Sequence, residues 1–521
     1  MSTQAGVVGT NQGSVTLQFI SDGRDFDPSF SAIASNQQTV DLLATGYLVA
    51  QPTTPVAPVN VGNFRLVNGA SSSFAVTNTN LAPAGLQEAL NASAGPGTAG
   101  VTFSGSINGL AQGDTSNAMV IGFAAGGAAG VRNGSATLNL VSNGTGTSGL
   151  GLYALAPATV QVTGTAFNLA GGSTTPTPVT VANQRVGGNA RAALTVSNTG
   201  PAGLFTEALN ASFGASSGAA TTFGSGINDL AAASSDNLSL GAGVNTATAG
   251  HQTGSVTLAY LSDGTGANGR SGLAAVSVGQ QTINVSGDVY RLAVPVVNTA
   301  PITLVARVGD AAPSAAVNVA NSGADAYTER LDASVASTPA GWSASGSVGG
   351  LATGQNSNAL ALTLHTTVAG SFAGTAGVAL VSSGAGTTLA PDASLGSANV
   401  ALTGRVYAPA VAQLPISTIH FGTVRVGDVV PVRNVAVNNA AGGALADTLS
   451  ASIHTLPGNG FAASGAVSGL AAGNSDTHTL NVSLDTASAG VFSGAATVGF
   501  SSHNPELADL ALGSQDVALQ G

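Results

Sequence analysis

The sequence predicts an all-β protein, a tandem array of antiparallel β-sandwich domains of about 120 residues each. Three observations carry this. The chain of 521 residues repeats itself at a domain-sized period. Its apolar residues alternate with period two over short segments, as in Val15-Thr16-Leu17-Gln18-Phe19 and Thr282-Ile283-Asn284-Val285-Ser286. Gly, Asn, Asp and Ser punctuate these runs, and helical periodicity is nearly absent.

The repeat is the clearest signal. A G-x-x-x-G motif ends at Gly13, Gly134, Gly254, Gly374 and Gly494, and an alternating strand follows each: SVTLQFISDG, SATLNLVSNG, SVTLAYLSDG, TAGVALVSSG and AATVGFSSHN. A Gly-Leu-Ala type turn recurs at Leu110, Leu230, Leu351 and Leu470. Earlier in each unit, Val76-Thr77-Asn78, Val196-Ser197-Asn198, Val319-Ala320-Asn321 and Val437-Asn438-Asn439 precede an acidic residue followed two positions later by leucine. Strands TVQVTG, TINVSG, NVALTG and DVALQG close the units. A period near 120 is too long for a solenoid repeat of roughly 20–50 residues and suits a module with its own core. The LQEALNAS and LFTEALNAS segments admit either a helical turn or a strand.

Proline sets the phase, because it cannot donate to a central ladder. Pro-rich stretches at 51–58, 174–178, 295–301 and 408–415 divide the chain into units 53–172, 173–294, 295–410 and 411–521. Residues 1–52 then read as the C-terminal half of a further repeat, with both chain ends expected to be cut from a longer array.

Composition removes whole chemistries. Only 7% of residues are charged, against a usual ~25%. All 12 basic residues are arginine and there is no cysteine. Schiff-base lysine chemistry, P-loop lysines, disulfides, thiolate metal sites and thiol nucleophiles are therefore excluded. A net charge of −11 argues against nucleic acid, which requires clustered cations. Mean hydropathy is +0.32, yet small polar residues interrupt every apolar run before it reaches the 18 residues of a spanning helix, so no membrane insertion is expected. The first residues lack the charged and apolar regions of a signal peptide.

About seven strands in such a unit indicate an Ig-like sandwich. Aromatics make up 4% of the chain, so Val, Leu, Ala and Ile must build the cores. Trp342 lies nine residues before Leu351, as Phe461 does before Leu470, while Phe103 and Phe223 lie seven before their leucines. A shift of two keeps one sheet face, so the tryptophan is read as filling a repeated aromatic core slot; a sugar-stacking platform would need it exposed.

Residues 420–439, HFGTVRVGDVVPVRNVAVNN, with the later T-x-x-A-G-x-F-S-G at 486–494, resemble the bacterial choice-of-anchor D type repeats, which are similar to the abnormal-spindle and hydin-like Ig domains. The units opening with NFRLVNGA and NQRVGGNA lack the Phe-Gly start. The resemblance implies a secreted or surface-exposed bacterial protein without an enzymatic site.

Among candidate site residues, Arg65, Arg185, Arg307 and Arg425 share one repeat position, and Glu88, Glu207, Glu329 and Asp447 share another. The first reading is one Arg–carboxylate pair per sandwich, tying its first strand to a later one; the second is a row of anion- or glycan-binding groups. The six histidines have neither metal-ligand spacing nor recurrence. Asp22, Asp25 and Asp27 form the densest acidic cluster, a weak calcium candidate against the plainer reading of a solvated turn. No catalytic constellation is visible, and no other cofactor is expected. The expected role is a structural, non-enzymatic segment of an extracellular or cell-surface protein: a stalk, matrix or adhesin array. The alternative is a module that binds glycans or other surface proteins through loops at the sandwich ends. Self-association is expected through residues 1–52, because half a sandwich leaves strand edges and one apolar face uncovered.

Overall fold

A computed structural model describes residues 7–456 and 460–521. Among them there is no helix; strands form every sheet. The chain falls into two compact units. One comprises Met1–Thr180, Arg191–Val244 and Thr253–Ser286; the other comprises Val181–Ala190, Asn245–Gln252 and Gly287–Gly521.

The first unit begins with a hairpin of β1 (Gly9–Ser21) and β2 (Ile33–Gly46), paired antiparallel to each other and to nothing else described. The first complete sandwich follows. One sheet runs β3 (Pro52–Thr53), β5 (Ala70–Asn78), β9 (Thr115–Phe123), β7 (Val101–Ser104). The other runs β4 (Val59–Arg65), β12 (Ala158–Phe167), β10 (Gly130–Asn143), β6 (Ala89–Gly97), β8 (Ser106–Leu110), with β11 (Leu152–Ala154) added to β10. All pairs are antiparallel except β4 with β12.

The sequence builds these strands through its alternation. In β10, Ala136, Leu138 and Leu140 point inward while Thr137 and Asn139 do not. Val160 and Val162 of β12 meet them, with Phe74, Val76, Met119 and Ile121 from the facing sheet. Leucine, valine and methionine fill a layer about 10 Å thick without many aromatics. The sheet order recurs in the second unit, as Pro295–Val297, Ser314–Asn321, Asn356–Leu364, Trp342–Ser345 and again as Ala412–Gln413, Arg433–Asn439, Ser475–Leu484, Phe461–Ser464. Proline therefore sits where it is tolerated: β3 and its equivalents are edge strands.

The segments left open between helix and strand are strands: Ala89–Gly97 and Ala208–Gly218 begin within LQEALNAS and LFTEALNAS. The aromatic slot is present. Trp342 is buried, packs with Leu360, Leu362 and Leu364, and its indole N–H donates to the Phe372 carbonyl at 3.1 Å. Phe461 is buried at the head of the equivalent strand. Phe103 stacks on Phe74 at 6.1 Å, and Phe223 is half-buried beneath Arg191. The sugar-platform reading of Trp342 fails because neither face of a buried indole is open to a ligand.

Candidate functional site: the joint between successive repeats

The recurring feature with unusual chemistry is a buried carboxylate at the entry end of each sandwich. In the first, Glu88 immediately precedes β6. Its backbone N–H donates to the Leu48 carbonyl in the incoming chain at 2.9 Å, and Leu48 N–H donates to Leu86 O at 2.9 Å. The Glu88 carboxylate accepts Ser142 Oγ at 2.6 Å and the Ser148 hydroxyl. Ser142 Oγ in turn accepts the N–H of Ala50 at 2.8 Å, and the Asn78 side chain donates to Glu88 O at 3.0 Å and accepts Gln51 N–H at 2.9 Å. The incoming chain is thus held by a fully hydrogen-bonded buried network, which is what a buried charge requires.

The same network stands at three further places. Glu207 accepts Ser262 at 2.7 Å and Ser271; Ser262 accepts Ala170 N–H. Glu329 accepts Ser382 at 2.8 Å and Thr388; Ser382 accepts Ala293 N–H. Asp447 accepts Ser502 and Asn504 Nδ2, both at 2.7 Å, and Ser502 accepts Ala410 N–H. Asn198, Asn321 and Asn439 repeat the part of Asn78. At Asp447 an asparagine replaces the second hydroxyl.

The recurring arginines reach these carboxylates, but not within their own sandwich. Arg65 Nε lies 2.9 Å from Glu207, Arg185 Nε 2.8 Å from Glu329, and Arg307 Nε 2.5 Å from Asp447. The expected pairs Arg65–Glu88, Arg185–Glu207, Arg307–Glu329 and Arg425–Asp447 do not form. The reason is strand direction. Arg65 ends β4, which runs parallel to β12 and faces Phe167 at the exit end. Glu88 lies at the entry end, next to Ala89, which pairs with Asn143. The thirteen steps of β10 between Gly130 and Asn143 separate those ends by roughly 40 Å at about 3.3 Å per residue. Arg65, Arg185 and Arg307 therefore each meet the carboxylate of the following repeat.

Other bonds reinforce each crossing. Arg65 also donates to Ala274 O at 2.6 Å, and Asn63 Nδ2 to Ser271 O at 2.8 Å. Asn183 donates to Thr387 O, and Arg307 to Ala508 O at 2.7 Å. Backbone bridges run parallel across the joints, Asn168 with Thr206, Arg291 with Thr328, and Ala408 with Ala446. Phe167 packs edge-on to Phe205, and Tyr290 against Tyr327, each with centroids 5.8 Å apart. Beside the third crossing, Arg405 and Tyr407 both bond Glu506. Burial pushes the Glu329 carboxyl up, but hydrogen bonds from Arg185, Thr388 and Ser382 outweigh it and hold the group below the usual carboxylate range.

Pairing with the following repeat leaves one member of each set without the other. Among the described residues no cation reaches Glu88, and no carboxylate forms an ion pair with Arg425, which is exposed beside Thr486 and Phe492 with its N–H on Asp428. The arginines also fail to form an open binding row: the guanidiniums of Arg65, Arg185 and Arg307 are engaged in the joints. The acidic turn does not converge either. Asp22 chelates Arg24 at 2.7 Å and Asp27 accepts the N–H and hydroxyl of Ser29, which lowers both carboxyls below the ordinary range; Asp25 shares in neither contact. Among the described residues no three His, Cys, Asp or Glu side chains gather into a metal-binding group.

The serines were missed by sequence reasoning, although their signal was present: Ser142, Ser262, Ser382 and Ser502 recur at steps of 120.

No family model matches the chain, and no curated protein does. Among solved structures, the chain is similar to the protocadherin GammaB4 extracellular domain (11% identity, TM-score 0.34, 98% of this chain and 72% of that one). It is also similar to mouse Cadherin-23 EC22-24 (11%, TM-score 0.32, 69% and 99%) and to a three-Ig titin fragment (12%, TM-score 0.24, 68% and 98%). The tandem Ig-like sandwich assignment rests on the sheets of this chain itself.

Proposed function

We propose that the chain is a non-catalytic structural segment of an extracellular or cell-surface protein, a stalk, matrix or adhesin array of choice-of-anchor D type repeats, whose working parts are its joints. The single observation behind this is the threefold recurrence of an arginine from one repeat held by a buried carboxylate of the next. A flexible string of independent domains has no use for a charge-assisted contact to a buried carboxylate at three successive junctions. Each joint also captures the incoming backbone, so bending one means breaking several hydrogen bonds together. Of the boundaries read from proline, those at 173, 295 and 411 fall beside such a joint, and the one at 53 falls beside the Glu88 network, which no arginine enters among the described residues. Stiff junctions suit a spacer that must project or bear tension, and the absence of lysine and cysteine leaves few tryptic sites and no redox dependence.

Spin-label distances test this directly, since the native chain has no cysteine. With labels at Asn358→Cys and His478→Cys, two exposed positions in successive sandwiches, the wild-type background should give one narrow distance distribution. Adding Arg307→Ala should broaden it. An equally broad distribution in both would defeat the stiff-joint reading.

A further inference from the structure

We infer that Asp229 is a positioning residue of the joint between the first and second sandwiches: its carboxylate clamps the loop that receives Arg65 and Asn63. This rests on the stiff-joint function and assigns to one residue the task of holding the receiving loop in place.

Asp229 stands where the backbone favours glycine. It precedes the leucine of the recurring Gly-Leu-Ala type turn, and Gly109, Gly350 and Gly469 occupy that place in the other three sandwiches. Their φ angles are +67°, +63° and +67°, and that of Asp229 is +57°. In this left-handed region a side chain carries a conformational cost that glycine avoids, smaller for Asp and Asn than for other residues. The bonds of the Asp229 side chain offset that cost. Its two carboxylate oxygens accept the Asn268 backbone N–H at 3.0 and 3.2 Å, and one of them accepts Asn268 Nδ2 at 3.3 Å. The Asp229 carbonyl accepts the same Nδ2 at 3.0 Å. The turn is itself pinned to the sheet: Asp229 N–H donates to Asn210 Oδ1 at 2.7 Å, and Asn210 Nδ2 donates to Asp263 at 2.8 Å.

Asn268 lies in the long connection between strands Gly250–Asp263 and Val276–Tyr290. Its first half, GTGANG at 264–269, is half glycine and has little conformational preference of its own. Just beyond Asn268 this connection meets the first sandwich. Asn63 Nδ2 donates to Ser271 O at 2.8 Å, Arg65 donates to Ala274 O at 2.6 Å, and the Ser271 hydroxyl donates to Glu207. A clamp on Asn268 therefore fixes the acceptors that the arginine strand needs.

The other two receiving connections follow the same logic. The third sandwich has glycine at 350 but ties its loop to that turn with Arg330, which donates to Gly350 O at 3.3 Å. The Arg330 guanidinium also lies against Gly386, where a β-carbon would fall 3.5 Å from Nε. The adjoining Thr387 carbonyl receives Asn183. In the fourth sandwich the corresponding strands, Ser493–Asn504 and Leu507–Gln520, meet in a tight hairpin, and Arg307 is received at Ala508 O on the strand itself. A long receiving loop is tied to this turn, and a short one needs no tie.

Spin labels at Asn117→Cys and Asn237→Cys, exposed positions in the first and second sandwiches, report this joint. Asp229→Gly installs the residue that the other sandwiches carry, so the fold is kept while the clamp is lost. It should broaden the distance distribution and speed exchange of the Asn268 amide by about tenfold or more, the loss expected for a hydrogen bond to a charged group. Asp229→Asn accepts the same backbone and keeps an acceptor oxygen, so it should retain the wild-type width. Ala233→Gly is the control. Ala233 has φ +57° where the other sandwiches carry Gly113, Gly354 and Gly473, and its methyl group makes no hydrogen bond, so relieving that strain should leave the width unchanged. A wild-type width in Asp229→Gly would overturn the proposal and leave the stiff-joint reading standing. Equal broadening by Ala233→Gly would overturn it too, by tracing the effect to the backbone of the turn. A broad distribution in the wild-type background would overturn both.

Discussion

At the residue scale, the buried carboxylates decide how the joints behave. Asp447 is buried and has five partners: Arg307, Ser502 and Asn504 on its carboxylate and, through its backbone, Ala408 and Asn439. Removing one partner of such a pair strands the other charge, so Arg307→Ala should destabilise the fourth sandwich by about 3–5 kcal/mol, read from denaturant melts. Ser382→Ala should cost about 1–3 kcal/mol, because it leaves the Ala293 N–H and one Glu329 lone pair unsatisfied. The pH dependence has a definite sign. The Glu329 carboxyl is held below its ordinary value in the folded chain. Its contribution is present above the unfolded-state value and is lost as pH falls through the folded one. Acid titration of Glu329→Gln should accordingly show a flatter loss of stability at low pH than wild type.

At the element scale, the strands were legible because alternation marks an inward face. Val160, Val162, Ile283, Val285, Val400, Leu402, Val517 and Leu519 all point into cores from the closing strands that the repeat identified. The aromatic slot was legible for the same reason, as a two-residue shift on one face. Trp342→Phe should therefore cost little, since Phe461 fills the equivalent place, whereas Trp342→Ala should cost about 3–5 kcal/mol. Partner choice was not legible. Arg65 and Glu88 recur with equal regularity whether they pair within a sandwich or across two. Only the parallel run of β4 beside β12 sends the arginine to the exit end, and parallel pairing between segments about a hundred residues apart leaves no mark on local periodicity. The serines left a mark that abundance concealed, since serine occurs at most turns of this chain. The acidic turn misled in the opposite way: Asp22, Asp25 and Asp27 are close in sequence, but Asp22 is taken up by Arg24 and Asp27 by Ser29.

At the scale of the whole molecule, low charge and a high content of small residues describe a module that spends its few ionic groups at its ends. Five of the twelve arginines make ion pairs across a repeat boundary, three of them to the recurring buried carboxylates, which makes neighbouring sandwiches energetically dependent in the nearest-neighbour sense of repeat proteins. The hairpin at residues 9–46 exposes Leu17, Phe19, Val40 and Leu42; a variant starting at residue 53 should self-associate less than the full chain, measured by light scattering, and equal masses would count against a role for these residues in association. That Arg65, Arg185 and Arg307 serve the following repeat and not their own is open to direct measurement. Double-mutant cycles should compare Arg307→Ala with Asp447→Ala, and Arg425→Ala with Asp447→Ala. A coupling energy of about 1–3 kcal/mol is expected for the first pair and additivity within about 0.5 kcal/mol for the second. Coupling between Arg425 and Asp447 with none between Arg307 and Asp447 would contradict it.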